Sequence, residues 1–309
     1  MLSNLLMANK VHLPVLLNEV IENLELKAGA IAIDGTLGFG GHARAVCEAI
    51  GPKGTLLGLD ADADALAEAK ENLAPCVAKK ILVKANFRDM AKVARNEGLE
   101  PVQAILLDLG VNSSQLDLPG RGFSFRRDEP LLMTLDENPS AKALTAADLV
   151  NTLGSEALAN LIYGYGEETF SRQIAEAIVK GRQAQGGIST TGQLVQIIEG
   201  AVPFWYKKRK IHPATKTFQA LRIATNDELG ALEDGLAGAW EVLAPGGRLA
   251  VISFHSLEAR IVKNFFVQKK QAGTGTLVNK HAIKPTRAET KANPRSRSAE
   301  LRVIIKNQN

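Results

Sequence analysis

The run Ile33-Asp34-Gly35-Thr36-Leu37-Gly38-Phe39-Gly40-Gly41-His42 places four glycines within seven positions, directly after an apolar segment and its terminal acid. Few folds accommodate such a run. The apolar segment 30–33 suits a strand buried on both faces. The glycines let the backbone turn sharply into a helix while it comes close to a ligand. A second apolar run, 55–59, ends in Asp60, 20 residues beyond Gly40. In a doubly wound sheet, an acid at about that distance from the glycine turn binds a ribose. Together the two features predict a cofactor that carries an adenosine.

The same rhythm extends along the first third of the chain. Strands over 30–34, 55–59, 80–84 and 103–108 alternate with helices that start near Gly41, near Asp62 and near Met90. Short apolar runs that alternate with helical stretches predict an α/β doubly wound parallel sheet. After Asp108 the rhythm breaks. Residues 143–150, 155–162, 170–179 and 192–199 read as helices, the last capped by Thr190 or Thr191. We therefore expect an all-helical insertion over 118–211, with a discontinuous sheet domain over 1–117 and 212–309. The sheet resumes with a central strand over 248–253, after the turn Pro245-Gly246-Gly247, and closes with a strand over 301–305. Between them, 271–298 has few large apolar residues and reads as a long mobile loop.

Net charge is +4, but its distribution is uneven. From Arg260 to Asn309 the only acids among many basic residues are Glu289 and Glu300. That end, and Lys207-Lys208-Arg209-Lys210, can attract a polyanion, although a charge run also serves as a plain solvated face. Two cysteines, Cys47 and Cys76, make neither a disulfide framework nor a metal-ligand spacing, and no metal is expected. No apolar run has the length of a membrane span, so a soluble cytoplasmic chain with no membrane partner is expected.

Candidate site residues gather at strand ends. Gly38-Phe39-Gly40-Gly41-His42-Ala43 fits the loose pattern GxGxx(G/A), which admits a nicotinamide enzyme. However, Asp34 ends the first strand where a pyrophosphate would lie, and its charge opposes one. The same carboxylate suits the cationic amino-acid end of S-adenosylmethionine. Asp60 is placed to accept both ribose hydroxyls. Phe87 either lies against adenine or faces the sheet as core. Asp108 follows a fully apolar strand, where an unpaired acid is costly, so either chemistry or a turn cap holds it there. Ser253 and His255 end the next central strand and are further catalytic candidates. Lys207, Lys208, Lys210, Lys216 and Arg222 are candidate phosphate contacts. For Arg222 the alternative is a paired side chain on a buried helix face.

These residues resemble one family over nearly the whole chain, the bacterial small-subunit ribosomal RNA cytosine-N4 methyltransferases (RsmH/MraW). The resemblance rests on His12-Leu13-Pro14-Val15-Leu16-Leu17, Asp34-Gly35-Thr36 through His42, and Leu106-Leu107-Asp108-Leu109-Gly110-Val111. It continues in Arg121-Gly122-Phe123-Ser124-Phe125, Tyr165-Gly166-Glu167-Glu168, Thr215-Lys216-Thr217-Phe218-Gln219-Ala220, Pro245-Gly246-Gly247-Arg248-Leu249 and Ser253-Phe254-His255-Ser256-Leu257-Glu258.

The resemblance implies a class I methyltransferase (Rossmann-like) sheet with a helical insertion and S-adenosylmethionine as cofactor. It also implies methyl transfer to N4 of a cytidine in the decoding centre of 16S ribosomal RNA, within the small ribosomal subunit. Family cofactor contacts carry over to Gly40, Gly41, His42, Asp60, Phe87, Asp108 and Gln115. The chain departs from the family pattern at Leu132 and Thr134, where an acid and an arginine are usual, and at Asn112, Ser114 and Ala259. Two other functions compete with this one: an NAD-dependent oxidoreductase, and a catalytically silent RNA-binding assembly factor. Self-association into a homodimer is left open.

Overall fold

The computed structural model describes residues 13–110, 120–135 and 143–308. It divides into two compact units, Met1–Gly110 with Gly230–Asn309, and Val111–Leu229.

The first unit is built on a seven-stranded sheet. In chain order its elements are α1 (Leu17–Leu24), β1 (Ile31–Asp34), α2 (Gly41–Ile50), β2 (Thr55–Asp60), α3 (Ala63–Asn72), β3 (Lys79–Lys84), α4 (Met90–Asn96) and β4 (Val102–Asp108). The second unit interrupts here with α5 (Ala146–Thr152), α6 (Ser155–Gly166), α7 (Ser171–Gln185), α8 (Thr191–Ala201), α9 (Phe204–Lys207) and α10 (Thr215–Asn226). After it come α11 (Glu228–Val242), β5 (Leu243–Ser253), α12 (Ser256–Gln271), β6 (Gly275–Leu277), α13 (Arg287–Ala292) and β7 (Glu300–Lys306).

The strand order is β3-β2-β1-β4-β5-β7-β6. The first five strands are parallel, and β7 runs antiparallel between β5 and β6. This is the class I methyltransferase sheet. The chain winds outward from β1 in one direction, then returns to place β4 on the other side of β1. The crevice between β1 and β4 is the switch point where such sheets bind ligands.

Alternate residues of each strand enter opposite apolar layers, as strand geometry requires. Ala32, Leu56, Leu106 and Ile252 pack on one face, and Ile33, Leu57, Leu107 and Val251 on the other. Burial on both faces explains why the strands read as continuous apolar runs, and why the polar residue that ends each run is conspicuous.

The helices start where local chemistry places them. Asp62 caps α3 by accepting from Asp64 N and Ala65 N. Thr145 with Asp148, and Thr190 with Gln193, form capping boxes at α5 and α8. In the second unit Phe123, Ile162, Ile174, Leu194, Phe218 and Leu221 share one core. Because Phe218 and Leu221 lie on α10, that helix belongs to the second unit, which thus reaches past the 118–211 expected from the sequence.

The segment 271–298 is not one long loop. It carries the edge strand β6, paired with β7 through Gly275↔Lys306 to Leu277↔Ile304, and the short helix α13. Glu289 of α13 accepts from Leu16 N at 2.8 Å, which ties this segment to the start of α1. Among the described residues, no helix is long and apolar enough to cross a membrane.

Gly35 shows how tightly the first turn is packed. A Cβ there would lie 2.6 Å from Leu107 Cδ2 and 3.3 Å from Phe87 Cβ, and Leu107 is fully buried. Gly35→Ala is expected to overpack the core and cost about 1–3 kcal/mol. A denaturation midpoint equal to that of the parent would show that the core yields there at no cost.

Candidate active site

Three adjacent strands end in aspartate. Asp60, Asp34 and Asp108 are the last residues of β2, β1 and β4, which lie side by side. The turn from β1 to α2 is fastened to all three. Gly35 N donates to Leu106 O at 3.0 Å and Leu37 N to Leu59 O at 2.8 Å. Thr36 N donates to Asp34 Oδ1 at 3.1 Å, and Gly38 N to Asp60 Oδ2 at 2.8 Å. In return, Thr36 Oγ1 accepts from Asp108 N at 2.6 Å. Gly40 sits at φ 81°, in the left-handed region that favours glycine, and offers no side chain to cap α2. The first N–H groups of α2 therefore keep the partial positive charge of a helix start.

Asp34 is buried, and burial pushes its carboxyl up to about 7. The Thr36 bond opposes this rise, and Asp60 adds to it by repulsion. Asp60 is also raised, chiefly by burial, although Gly38 and Asp62 N–H groups pull it back. Asp108 is raised well above the ordinary carboxylate range, first by burial and then by repulsion from Asp34 and Glu258. Its Oδ1 is buried and accepts no hydrogen bond among the described residues. Its Oδ2 lies 3.6 Å from His42 Nδ1. The other nitrogen of His42 meets Val15 O at 2.8 Å. A carbonyl can only accept, so Nε2 carries the proton there and Nδ1 faces the carboxylate.

The remaining predicted residues fall into distinct settings. Phe87 is half-buried, and its ring packs against Gly235 of α11, where a Cβ would be only 2.5 Å from Cδ2. Ser253 is buried and donates to Glu300 O at 3.3 Å. His255 caps α12, with Nδ1 accepting from Glu258 N, while Glu258 Oε2 accepts from Phe254 N at 2.8 Å and His255 N at 3.3 Å. Gln115, Asn112 and Ser114 lie outside the described residues. Glu258 and Thr36 were not singled out as site residues by their sequence. For Glu258 the signal was the spacing from His255, which is that of a capping box. Its carboxylate nevertheless acts on Asp108.

The cationic candidates separate as well. Lys207, Lys208 and Lys210 are exposed. Lys216 Nζ instead donates to Glu167 O at 2.6 Å. Arg222 forms a two-pronged pair with Glu228, both bonds 2.8 Å, with the two side chains only 17% and 15% exposed. Leu132 and Thr134 sit in the second unit, where Thr134 is buried and its carbonyl accepts from Arg121 Nη2 at 2.8 Å.

Against this geometry, the chain matches the family described as the MraW methylase family over residues 9–307. It is 47% identical over 312 residues to "Ribosomal RNA small subunit methyltransferase H" of Symbiobacterium thermophilum, covering 96% of this chain and 97% of that one. It is 46% identical over 310 residues to the protein of the same name from Geotalea uraniireducens, covering 96% and 98%. The chain belongs to the MraW methylase family.

The crowding of acids has a consequence for stability. Asp34 holds its proton to about pH 7 in the folded protein, against an ordinary value of 3.8. Between those limits the folded state binds more protons than the unfolded chain, so stability falls as pH rises from about 4 to 7. Above that window the full penalty stands. Asp34→Asn keeps an acceptor for Thr36 N and removes the charge. It is expected to raise the melting temperature at pH 8 more than at pH 5. An equal or larger gain at pH 5 would contradict a charge penalty at this position.

Proposed function

We propose that this chain transfers a methyl group from S-adenosylmethionine to N4 of a cytidine in the decoding centre of small-subunit ribosomal RNA. The observation that carries the choice of cofactor is the row of acids Asp60, Asp34 and Asp108 around one glycine turn. Asp34 is buried, and His42 of α2 lies 3.6 Å from the Asp108 carboxylate. Such a row repels a pyrophosphate, which disfavours the nicotinamide alternative. It fits a ligand whose ammonium and sulfonium are both cationic, since an opposite charge relieves the repulsion that raises these carboxyls. Membership in the methylase family, and relatives named as ribosomal RNA methyltransferases, support the reaction and the class of substrate.

Each residue then has a role that its position supports. Asp34 would hold the amino group of the methionine portion, and the uncapped start of α2 its carboxylate. Asp60 would accept the ribose hydroxyls, because each of its oxygens already takes one backbone N–H and keeps a further lone pair. When bound, S-adenosylmethionine supplies an electrophilic methyl group. The exocyclic amine of cytosine is a weak nucleophile because its lone pair is delocalised into the ring. Asp108 would accept from that amine through its carboxylate, which favours the tetrahedral nitrogen and fixes its approach. The Thr36 hydroxyl oxygen holds Asp108 by accepting from the Asp108 backbone N–H. Ser253 and His255 would support this edge as a strand-end contact and a helix cap. The cytidine must leave its stack to reach a strand tip. Lys207, Lys208 and Lys210 would hold the RNA backbone. The small ribosomal subunit in the cytoplasm is the substrate this reading requires.

Single-turnover methylation of small subunits lacking the modification tests the assignment. Asp108→Asn should slow transfer by ~10²-fold or more while S-adenosylmethionine binding falls less. Equal losses in rate and binding would make Asp108 a cofactor ligand only. Loss of the modified nucleoside from cells that lack the protein is expected alongside.

A further inference from the structure

Two adjacent aromatic side chains of the helical unit, Phe204 and Trp205, lie outside its core. Phe204 is 71% exposed and Trp205 62%. They open α9, and the four residues Lys207, Lys208, Arg209 and Lys210 that close and follow it are exposed and basic. No acid lies between Pro203 and Ile211.

These rings are held from beneath. Tyr206, between them and the lysines, turns inward and is buried. Its hydroxyl donates at 2.6 Å to Oε2 of Glu168, which is fully buried. The other oxygen of Glu168 accepts from Phe170 N at 2.9 Å. The Phe170 ring then meets Tyr206 edge-on at 4.8 Å and Trp205 at 5.9 Å, and Trp205 meets Tyr206 edge-on at 5.7 Å. A buried carboxylate, a phenol and a ring edge thus fix the helix that presents the two exposed rings. Lys208 Nζ stands 4.6 Å from the centre of the Phe204 ring, which keeps a cation beside the aromatic surface.

We propose that Phe204 and Trp205 form a stacking platform for unpaired bases of a single-stranded RNA segment, beside the phosphate contacts of Lys207, Lys208 and Lys210. The inference rests on the proposed action on RNA and adds where a second part of the strand is gripped. Aromatic faces bind any unpaired base, and adjacent cations bind the backbone between bases. A duplex hides its base faces, so the platform separates single strands from duplexes while the lysines bind both. The run of uncompensated positive charge favours a nucleic acid over a protein or a second copy of this chain as occupant.

The test uses the full chain and a short labelled RNA, single-stranded or annealed as a blunt duplex. The double substitution Phe204→Leu with Trp205→Leu should weaken single-strand binding ~10-fold or more, leave duplex binding and the salt slope as in the parent, and leave S-adenosylmethionine affinity intact. Trp205→Phe, which keeps a ring, should recover most of the loss. Unchanged single-strand affinity, or an equal loss for the duplex, overturns the platform. So does a parent dimer that the double substitution makes monomeric, since a second copy would then cover the rings. Methyl transfer by the parent distinguishes the failures. A parent that methylates small subunits but does not need the rings loses only the platform, whereas one that neither binds RNA nor transfers methyl loses the proposed function too.

Discussion

Carboxylates brought close together in a poorly solvated edge repel one another, and folding alone gives them little relief. That constraint organises the first unit. β2, β1 and β4 each end in an aspartate; burial with mutual repulsion keeps Asp34 protonated to about pH 7 and raises Asp108 well above the ordinary carboxylate range. A sheet assembled for stability alone would end these strands in small neutral residues. The destabilising charge is what a cationic ligand can neutralise, so the cost in the free protein becomes selectivity in the complex.

The glycine turn holds the acids in place. Its N–H groups go to Leu106 O, Leu59 O, Asp34 and Asp60, and its Thr36 hydroxyl takes the Asp108 N–H. Together these bonds join the turn to β1, β2 and β4, so a shift of the turn would disturb every acid at once. Gly35 has no room for a side chain, and Gly40 needs the left-handed backbone that starts α2 without a cap. The helical unit uses a similar economy. One buried acid, Glu168, anchors Tyr206 and thereby the exposed pair beside it.

Much of this was legible in the sequence. Strands buried on both faces leave continuous apolar runs, so the acid that ends each one stands out, and Asp34, Asp60 and Asp108 do end β1, β2 and β4. Features decided by distant partners were harder to see. The edge strand β6 has three residues and exists because β7 lies beside it, so 271–298 read as loop. Sequence left Arg222 as either a phosphate contact or a paired side chain on a buried helix face, and its partner, Glu228 on the following helix, shows only in the fold. His255, at a strand tip, has the position of a catalytic group but uses its Nδ1 to cap α12. Histidine is an unusual cap, which hid the capping box that Glu258 completes. Phe204 and Trp205 carry no such mark, because sequence does not show which side of a one-turn helix is covered.

The central claim is that these acids await a cation, and proton release on binding tests it most directly. Titration calorimetry with S-adenosylmethionine at pH 6.5, in buffers of different ionisation enthalpy, measures the protons exchanged. At that pH the ligand's amino group is already protonated, whereas Asp34, with a value of about 7, is mostly protonated in the free protein. A cation bound beside it should expel that proton, so net release is expected, and Asp34→Asn should reduce it. Binding with no proton exchange, or with net uptake, would contradict the claim that the acidic row receives the cofactor's positive charge.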